Sequence, residues 1–533
     1  MENISIIILL LFGVVFLGVL SNKYKFPFPI ALVLSGLLIS QIPGLPLITL
    51  NPGIVFLIFL PPLLYSAAWN TSWHEFKTYY RSISLAAVGL VLLTTVAVAI
   101  VAHIIIPDIS WPVAFLLGAI VSPPDAVAAT SVTRGLGIDP RLISILEGES
   151  LVNDASGLIA YKYALTAIMA GNFVLWEAGL NFIWVVMAGV AVGLAVGYAL
   201  YLVHKNFICV AVVEVTLTLL TPFASYLLAE QIHVSGVLAV VTTGLYLSFR
   251  SDEIFSNESR IMAYAVWDVI VFILNGLIFI LIGLQLKNVM EGIREYSGKE
   301  LAWYGLAVSG VVIIIRFIWV IPGSLIPYLS KRINARRKFD RRNLLIFGWA
   351  GMRGVVSMAA ALSLPLVLPG GAVFPHRNLI IYITFCVILI TLVLLGFTLP
   401  WVIRKLKLDP YSIAAEEYEV RTRVVNNTII HIEENLSLLN AELLNNIKTK
   451  YEIKYNRLQK TDLPPGYFEG ETPKVENIFN EFSRLQIELI GVERKSLKQL
   501  HRDGNTSEEI IRKIEKELDL EETRLKLEMY EEA

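Results

Sequence analysis

Long apolar runs separated by short polar loops fill the chain up to about Ile403, after which charged residues become frequent. A helix of about 20 apolar residues spans the hydrocarbon core of a bilayer. About thirteen runs meet this requirement. The pattern predicts an all-α polytopic membrane protein. The approximate spans are 4–21, 27–43, 51–69, 82–106, 110–133, 142–169, 178–203, 207–230, 233–250, 261–286, 301–328, 342–368 and 378–403.

Basic residues are distributed unequally between the two sides of the predicted bundle. Alternate loops hold nearly all of them, and the largest cluster lies at 331–342. Basic residues of short loops stay in the cytoplasm. This asymmetry predicts an external N-terminus, a cytoplasmic C-terminal tail and an odd number of spans. No basic residue precedes the first run, which we interpret as a retained helix and not as a signal peptide.

Pro or Gly interrupts two of the apolar runs, at Val121–Ser131 (VSPPDAVAATS) and at Gly348–Met358 (GWAGMRGVVSM). These are the fifth and twelfth spans. They would occupy equivalent positions if the chain contained two inverted six-helix repeats joined by a connecting helix. Matched broken segments indicate the midplane site of a transporter. We therefore expect a transmembrane domain over 1–405, and a cytoplasmic helical domain over 406–533, where apolar residues recur at helical spacing.

Composition and motifs exclude several classes of function. The chain is 55% hydrophobic, which is typical of a membrane protein. It contains no nucleotide-binding loop, no His/Cys metal site and no nucleophile triad. We therefore expect a secondary transporter and not an enzyme, with no cofactor and no nucleic-acid partner.

The stretch Glu147–Tyr161 (EGESLVNDASGLIAY) places carboxylates inside the sixth span. A carboxylate in mid-membrane is costly unless it faces a cavity or a partner. A polar helix interface is the alternative interpretation, but such interfaces rarely need Asp and Glu so close together. At about 100° per residue, Glu149, Ser150, Asn153, Asp154 and Gly157 fall on one helix face of about 140°, which gathers the side-chain oxygens.

The first interrupted run places Asp125 directly after Pro123 and Pro124, at the expected start of a half-helix. An Asp there neutralises the helix dipole. Unwound carbonyls near Ser122–Pro124 can replace the hydration shell of a cation. The alternative is an Asp cap on a kinked helix without a ligand, and both interpretations can hold together.

The second interrupted run contains Arg353, which needs a partner if it is buried. We expect Glu149 to pair with it in a structural ion pair, which leaves Asp154 free to titrate. The alternative is that Arg353 extends to the cytoplasmic interface.

Asp154 is the residue on which the transport hypothesis depends. Desolvation favours its protonated form, whereas a bound Na⁺ favours the carboxylate. One carboxyl group can therefore hold a proton or a cation but not both, and that competition is exchange. Alkali cations prefer oxygen ligands. The candidate ion-binding residues are Asp154, Asn153, Ser150, Asp125, Ser122 and Pro124, with Asp154 and Ser150 as the Na⁺ ligands.

Four segments, GESLVNDASG, SPPDAVAA, FLPPLLYSAAW and AGMRGVVSMAAALSLP, resemble motifs of bacterial sodium/proton antiporters of the first monovalent cation:proton antiporter family. That family also contains the animal sodium/hydrogen exchangers, and the resemblance covers about residues 1–405. It implies a homodimer in the bacterial plasma membrane, with two inverted six-helix repeats and crossed interrupted helices. A core domain would move against a dimerisation domain.

The resemblance also implies roles for individual residues. Asp154 would alternate between cation and proton, and Ser150 would offer its hydroxyl to the cation. Asn153 would mark the electroneutral class, because related electrogenic antiporters carry a second Asp there. Glu149 would pair with Arg353, and Asp125 would lie in the interrupted helix.

The chain departs from the family pattern at two positions. Ser66 stands where many members carry an acidic residue, and Pro124 stands where many carry Thr or another non-proline residue. We predict an antiporter that exchanges cytoplasmic Na⁺ or Li⁺ for external H⁺, one for one, in pH and sodium homeostasis. The alternatives are a K⁺(Na⁺)/H⁺ antiporter, and less favoured a cation channel or a membrane sensor.

Overall fold

A computed structural model describes most of the chain, and its described residues form helices, turns and loops apart from one isolated β-bridge between Val367 and Val373. The protein is an all-helical membrane protein with several apolar spans. The described residues are 2–24, 26–41, 52–71, 73–133, 138–170, 175–207, 210–293, 295–323, 341–368, 371–406, 413–435, 448, 451, 476–502 and 507–530.

Helices account for most of the described residues. In chain order they are α1 (Glu2–Tyr24), α2 (Phe28–Ser40), α3 (Pro52–Asn70), α4 (Trp73–Ser84), α5 (Val91–Ile105), α6 (Trp111–Val121), α7 (Ala126–Thr133), α8 (Pro140–Ala170), α9 (Leu175–Phe207), α10 (Ala211–Gln231), α11 (Gly236–Phe249), α12 (Ser251–Ile254), α13 (Asn257–Glu291), α14 (Gly298–Gly323), α15 (Arg341–Trp349), α16 (Val355–Leu362), α17 (Arg377–Ile390), α18 (Gly396–Leu406), α19 (Ile413–Asn435), α20 (Glu476–Arg502) and α21 (Glu508–Tyr530). Two π-helical segments, Leu85–Leu90 and Thr391–Leu395, join α4 to α5 and α17 to α18.

Among the described residues, six helices are long and apolar enough to cross a bilayer. They lie at Trp73–Ile105, Ile183–Asn206, Ala211–Gln231, Asn257–Gln285, Gly298–Val320 and Arg377–Leu406. Shorter apolar helices lie at Ile8–Tyr24, Phe28–Ser40, Trp111–Val121 and Gly236–Phe249. The chain is thus a multi-pass membrane protein. The larger number of spans and the membrane orientation remain predictions, and most of the basic cluster, 331–340, lies outside the described residues.

Helices end at both places where Pro or Gly interrupts an apolar run. Residues 122–125 separate α6 from α7, because Pro123 and Pro124 cannot donate the hydrogen bonds that would continue the helix. Residues 350–354 separate α15 from α16. Each interruption leaves backbone groups inside the apolar part of the fold, and these need partners elsewhere.

Helix packing surrounds α8 with the interrupted helices. The helix α8 packs against α4, α6, α7 and α16, while α5 packs against α6 and α14. A second group of helices is formed by α9 and α3, which both pack against α11. The polar face of α8 therefore lies among the elements that carry the two interruptions.

The chain divides into two compact units. The first contains Met1–Cys209, Val213–Ile254 and Ala265–Asp409, and the second contains Pro410–Ala533 together with Val210–Val212 and Phe255–Tyr264. The second unit therefore includes the beginning of α13, which the predicted division at 405/406 assigns to the transmembrane domain.

Apolar contacts join the helices of the second unit. Val420 and Val424 of α19 lie in one buried cluster with Ile490 and Leu497 of α20 and with Ile511 of α21. These positions recur at helical spacing and form one apolar face on each helix.

A charged cluster connects the beginning of α13 to the rest of the second unit. Arg260 donates to both carboxylate oxygens of Asp519, from Nη2 at 2.6 Å and from Nε at 3.0 Å. Arg494 donates to the same carboxylate at 2.7 Å and to Glu522 at 2.8 Å. Both arginines also donate to Asn257 at 2.9 Å. Asp519 is 3% exposed, so this carboxylate lies away from water between two guanidinium groups, and Glu522 supplies a second negative charge beside Arg494.

We expect Asp519→Asn to destabilise the second unit by about 2 kcal/mol, because it leaves Arg260 and Arg494 without their shared carboxylate. Hydrogen exchange of 508–530 and 255–264 measures the effect, and both segments should lose protection. Glu419→Gln is the control, since its ion pair with Arg423 is exposed and contributes little. Equal protection in both variants would contradict the role of the cluster.

Candidate functional site

The two helix interruptions contact each other through their main chains. The backbone N–H of Asp125 donates to the carbonyl of Met352 at 2.7 Å. The Asp125 carboxylate accepts from the N–H of Ala128 at 3.4 Å, so that it caps the first turn of α7. Each interruption thus satisfies part of the other, in a region where water is not available to do so.

The helix α8 partners the first interruption through two of the predicted site residues. Asn153 donates from Nδ2 to the carbonyl of Pro124 at 3.2 Å. The hydroxyl of Ser150 accepts from the N–H of Ala126 at 3.2 Å. These bonds bring Ser150, Asn153, Pro124 and Asp125 together around the start of α7.

Two glycines allow this close approach. A Cβ at Gly354 would collide with the Asp125 carboxylate, and a Cβ at Gly157 would collide with the ring of Pro123. Only a residue without a side chain fits at these positions unless the backbone moves. The glycines therefore bring the second interruption and α8 against the first.

Arg353 holds the two interruptions together. Its Nε donates to the carbonyl of Val121 at 2.8 Å, its Nη1 donates to the carbonyl of Gly351 at 3.3 Å, and its backbone N–H donates to Thr391 at 3.1 Å. The side chain is fully buried, so it does not extend to an interface. The guanidinium thus partners carbonyls that the helix ends leave free.

The partner of Glu149 differs from the sequence expectation. Glu149 forms a bidentate ion pair with Arg316 of α14, with Oε1–Nη1 at 2.8 Å and Oε2–Nη2 at 2.9 Å, whereas we expected a pair with Arg353. Arg316 also donates from Nε to the carbonyl of Phe347 at 3.1 Å. The ion pair is 1–2% exposed, and Arg353 makes main-chain contacts in its place.

Asp154 lies in different surroundings. Its side chain is buried, with 8% exposure of the residue. No hydrogen bond or ion pair reaches its carboxylate from within the described ranges. A buried carboxylate gains free energy when it binds a proton or a cation.

Residues close to Asp154 in the sequence carry oxygen atoms that can coordinate a cation. The Oδ1 of Asn153 is buried and has no hydrogen-bond partner among the residues that the structure describes. Ser150 accepts one N–H and retains acceptor capacity. Both residue types suit a hard cation.

Ser122 is the predicted site residue whose side chain turns away from the interruption. Its hydroxyl donates to the carbonyl of Ala119 at 3.1 Å, within its own helix. Two residues that the sequence analysis did not assign to the site support it. Arg316 could have been found as a second buried arginine that needs a carboxylate. Thr391, which accepts from the Arg353 N–H, carries no sequence signal.

Residues 6–405 match the family described as sodium/hydrogen exchanger, transmembrane. The chain belongs to that family. As a sodium/hydrogen exchanger family member it is a monovalent cation/proton antiporter, which is a secondary transporter and not an enzyme.

Curated relatives within the family are 30% identical to this antiporter over the aligned residues. The sodium, potassium, lithium and rubidium/H⁺ antiporter of Bacillus pumilus is 30% identical over 81% of this chain, which spans 66% of that protein. An uncharacterized Na⁺/H⁺ exchanger of Mycobacterium bovis is 30% identical over 98% of this chain and 96% of its own length. The second match extends through the residues beyond 405.

The fold is similar to that of a solved antiporter. The sodium proton antiporter MjNhaP1 of Methanocaldococcus jannaschii matches with a TM-score of 0.57 and 22% identity, over 76% of this chain and 99% of that one. The similarity indicates a shared helical membrane fold.

A double-mutant cycle tests the partner of Glu149. Glu149→Gln and Arg316→Gln should each destabilise the antiporter by about 3–5 kcal/mol, because each leaves a buried charge alone. The pair should show a coupling of about 2 kcal/mol. Unfolding in mixed detergent micelles measures both. The comparison cycle uses Arg353→Gln, and an equal or larger coupling between Glu149 and Arg353 would refute the assignment.

Proposed function

We propose that this antiporter exchanges cytoplasmic Na⁺ or Li⁺ for external H⁺ at Asp154, one for one. The observation that supports the proposal is the contrast between two buried carboxylates on α8. Glu149 is neutralised by Arg316 at 2.8 Å and 2.9 Å. Asp154 receives no such partner from the described part of the chain, and can take one from solution.

The exchange follows from the exclusive occupancy of one carboxyl group. A protonated Asp154 carries no negative charge with which to neutralise a cation. When its carboxylate holds Na⁺, the same oxygens cannot take the proton. Burial of the side chain disfavours the empty, ionised state. Access to the site then switches from one side of the membrane to the other mainly when the site is occupied, which is what obligatory exchange requires.

Electroneutrality rests on the neutral neighbour of Asp154. If one Na⁺ or one H⁺ replaces the other at the same carboxylate, both directions carry the same charge. Asn153 adds no charge to the site, and its Nδ2 is engaged with the Pro124 carbonyl. We infer that Asp154, Ser150, the Asn153 oxygen and nearby main-chain carbonyls share the coordination of the cation.

The membrane, the orientation of the chain and its oligomeric state are also part of the proposal. We infer a homodimer in a bacterial plasma membrane, with the N-terminus outside and the tail in the cytoplasm. Two inverted repeats would carry the crossed interruptions, and one group of helices would move against the other. The asymmetry of the basic residues supports the orientation, and the contact between Asp125 and Met352 supports the crossed interruptions.

A K⁺(Na⁺)/H⁺ antiporter is the second candidate. The relative from Bacillus pumilus is named for sodium, potassium, lithium and rubidium. Ser66, which is 7% exposed in α3, adds no carboxylate to the site. A site with fewer charged ligands discriminates less strongly between alkali cations, because the small ion gains most from a strong field.

Asp154→Asn should abolish cation-driven proton movement, because an amide neither binds a proton reversibly nor neutralises Na⁺. The measurement is proton flux in proteoliposomes with an internal pH dye. Asp268→Asn, an exposed Asp in α13, is the matched control and should retain flux. Retained flux in Asp154→Asn would end the proposal.

Ion selectivity and charge balance can be measured in the same vesicles. We expect Na⁺ and Li⁺ to drive proton flux and K⁺ not to do so, with no need for a charge-compensating ionophore. A response to K⁺ would favour the second candidate. A voltage-sensitive dye that reports a potential during exchange would contradict the one-for-one stoichiometry.

A further inference from the structure

A cavity of about 390 Å³ lies beyond Asp154 along α8. Leu158 and Tyr161 line it, one and two turns past Asp154 on the same helix face. Val185 of α9, Tyr226 of α10 and Val237 of α11 line its other walls. The basic-residue asymmetry directs this end of α8 to the outside.

An ion pair bridges the cavity. Lys162 of α8 donates to both carboxylate oxygens of Glu230 of α10, at 2.7 Å and 2.9 Å. Both residues line the cavity, with side-chain exposures of 53% and 33%. The two helices thus face each other across open space and are connected there by the ends of two long side chains.

The wall that carries Glu230 is held in a defined position. The N–H of His233 donates to the carbonyl of Glu230 at 3.0 Å, and the N–H of Val234 donates to the carbonyl of Ala229 at 3.1 Å. Ser235 caps α11 by accepting from the N–H of Leu238 at 3.2 Å. The connection from α10 to α11 is therefore a tight turn, which fixes the end of α10 that carries Glu230 relative to α11.

The floor of the cavity separates it from the ion-binding residue. Leu158 is 6% exposed and lies one turn from Asp154. Leu158 lines the cavity and Asp154 does not, so this apolar side chain lies between the cavity and the carboxylate along α8. A movement of α8 relative to α10 that displaced Leu158 would connect the two.

We propose that the Lys162–Glu230 ion pair is a latch that limits how often the external cavity opens toward Asp154. Lys162 and Glu230 are positioning residues and do not bind the transported ion. This inference rests on the proposed function for its consequence in transport. The pair is partly exposed, so its loss should change the opening equilibrium by about fivefold at most.

Thiol labelling tests the latch without transport. In a background with Cys209→Ser and Cys386→Ser, Val237→Cys introduces a buried probe in the cavity wall. A membrane-impermeant maleimide is added from outside to reconstituted full-length protein. The double variant Lys162→Gln/Glu230→Gln removes the pair without changing net charge, and should label about fivefold faster.

The charge swap Lys162→Glu/Glu230→Lys restores the pair with reversed polarity, and should return labelling to the rate of the unaltered pair. Arg250→Gln/Glu253→Gln is the matched control, because it removes an ion pair outside the cavity. It should leave the rate unchanged. Lys162→Gln alone serves as a second variant if the double variant is unstable.

Two results would overturn the latch. One is equal labelling in the paired, neutral and swapped proteins, and the other is labelling only from the cytoplasmic side. Because no cation gradient is used, the outcome is independent of which ions are exchanged. Faster labelling in a protein that moves no Na⁺ would uphold the latch and refute the proposed substrate.

Discussion

The absence of water inside a bilayer is the constraint on which the site depends. Interrupted helices expose backbone groups, and these must be partnered by the chain itself. Here each interruption partners the other through Asp125 and Met352, while Asn153 and Arg353 occupy two of the remaining carbonyls. The same contacts that make the interruptions tolerable bring the oxygens together. The contacts that stabilise the interruptions therefore also determine where the candidate ligand oxygens lie.

Much of the site could be predicted from the sequence because its signals are local. Prolines mark the first interruption, and helical spacing gathers Ser150, Asn153 and Asp154 on one face. Ser150 and Asn153 meet the start of α7, as their hydrogen bonds with Ala126 and Pro124 demonstrate. The roles of these residues in transport stay predictions.

The partner of Glu149 could not be predicted, because helical spacing gives a face and not the helix opposite to it. Arg316 and Glu149 are 167 residues apart, and two buried arginines competed for one carboxylate. Arg353 instead satisfies helix-end carbonyls, a demand that appears only once both interruptions are placed. The hydroxyl of Ser122 bonds to its own helix, as a helix-end serine readily does, so the contribution predicted for Ser122 rests on its main-chain carbonyl.

The hydrogen bond from Asn153 to the Pro124 carbonyl has an evolutionary consequence. An aspartate at 153 would set a carboxylate oxygen against a carbonyl oxygen 3.2 Å away, where the amide now donates. Two acceptors at that distance repel each other. A second acidic residue there would keep a bond to Pro124 only while it is protonated, and its ionised form would need another donor for that carbonyl. The number of charges carried per cycle is then hard to change by single steps.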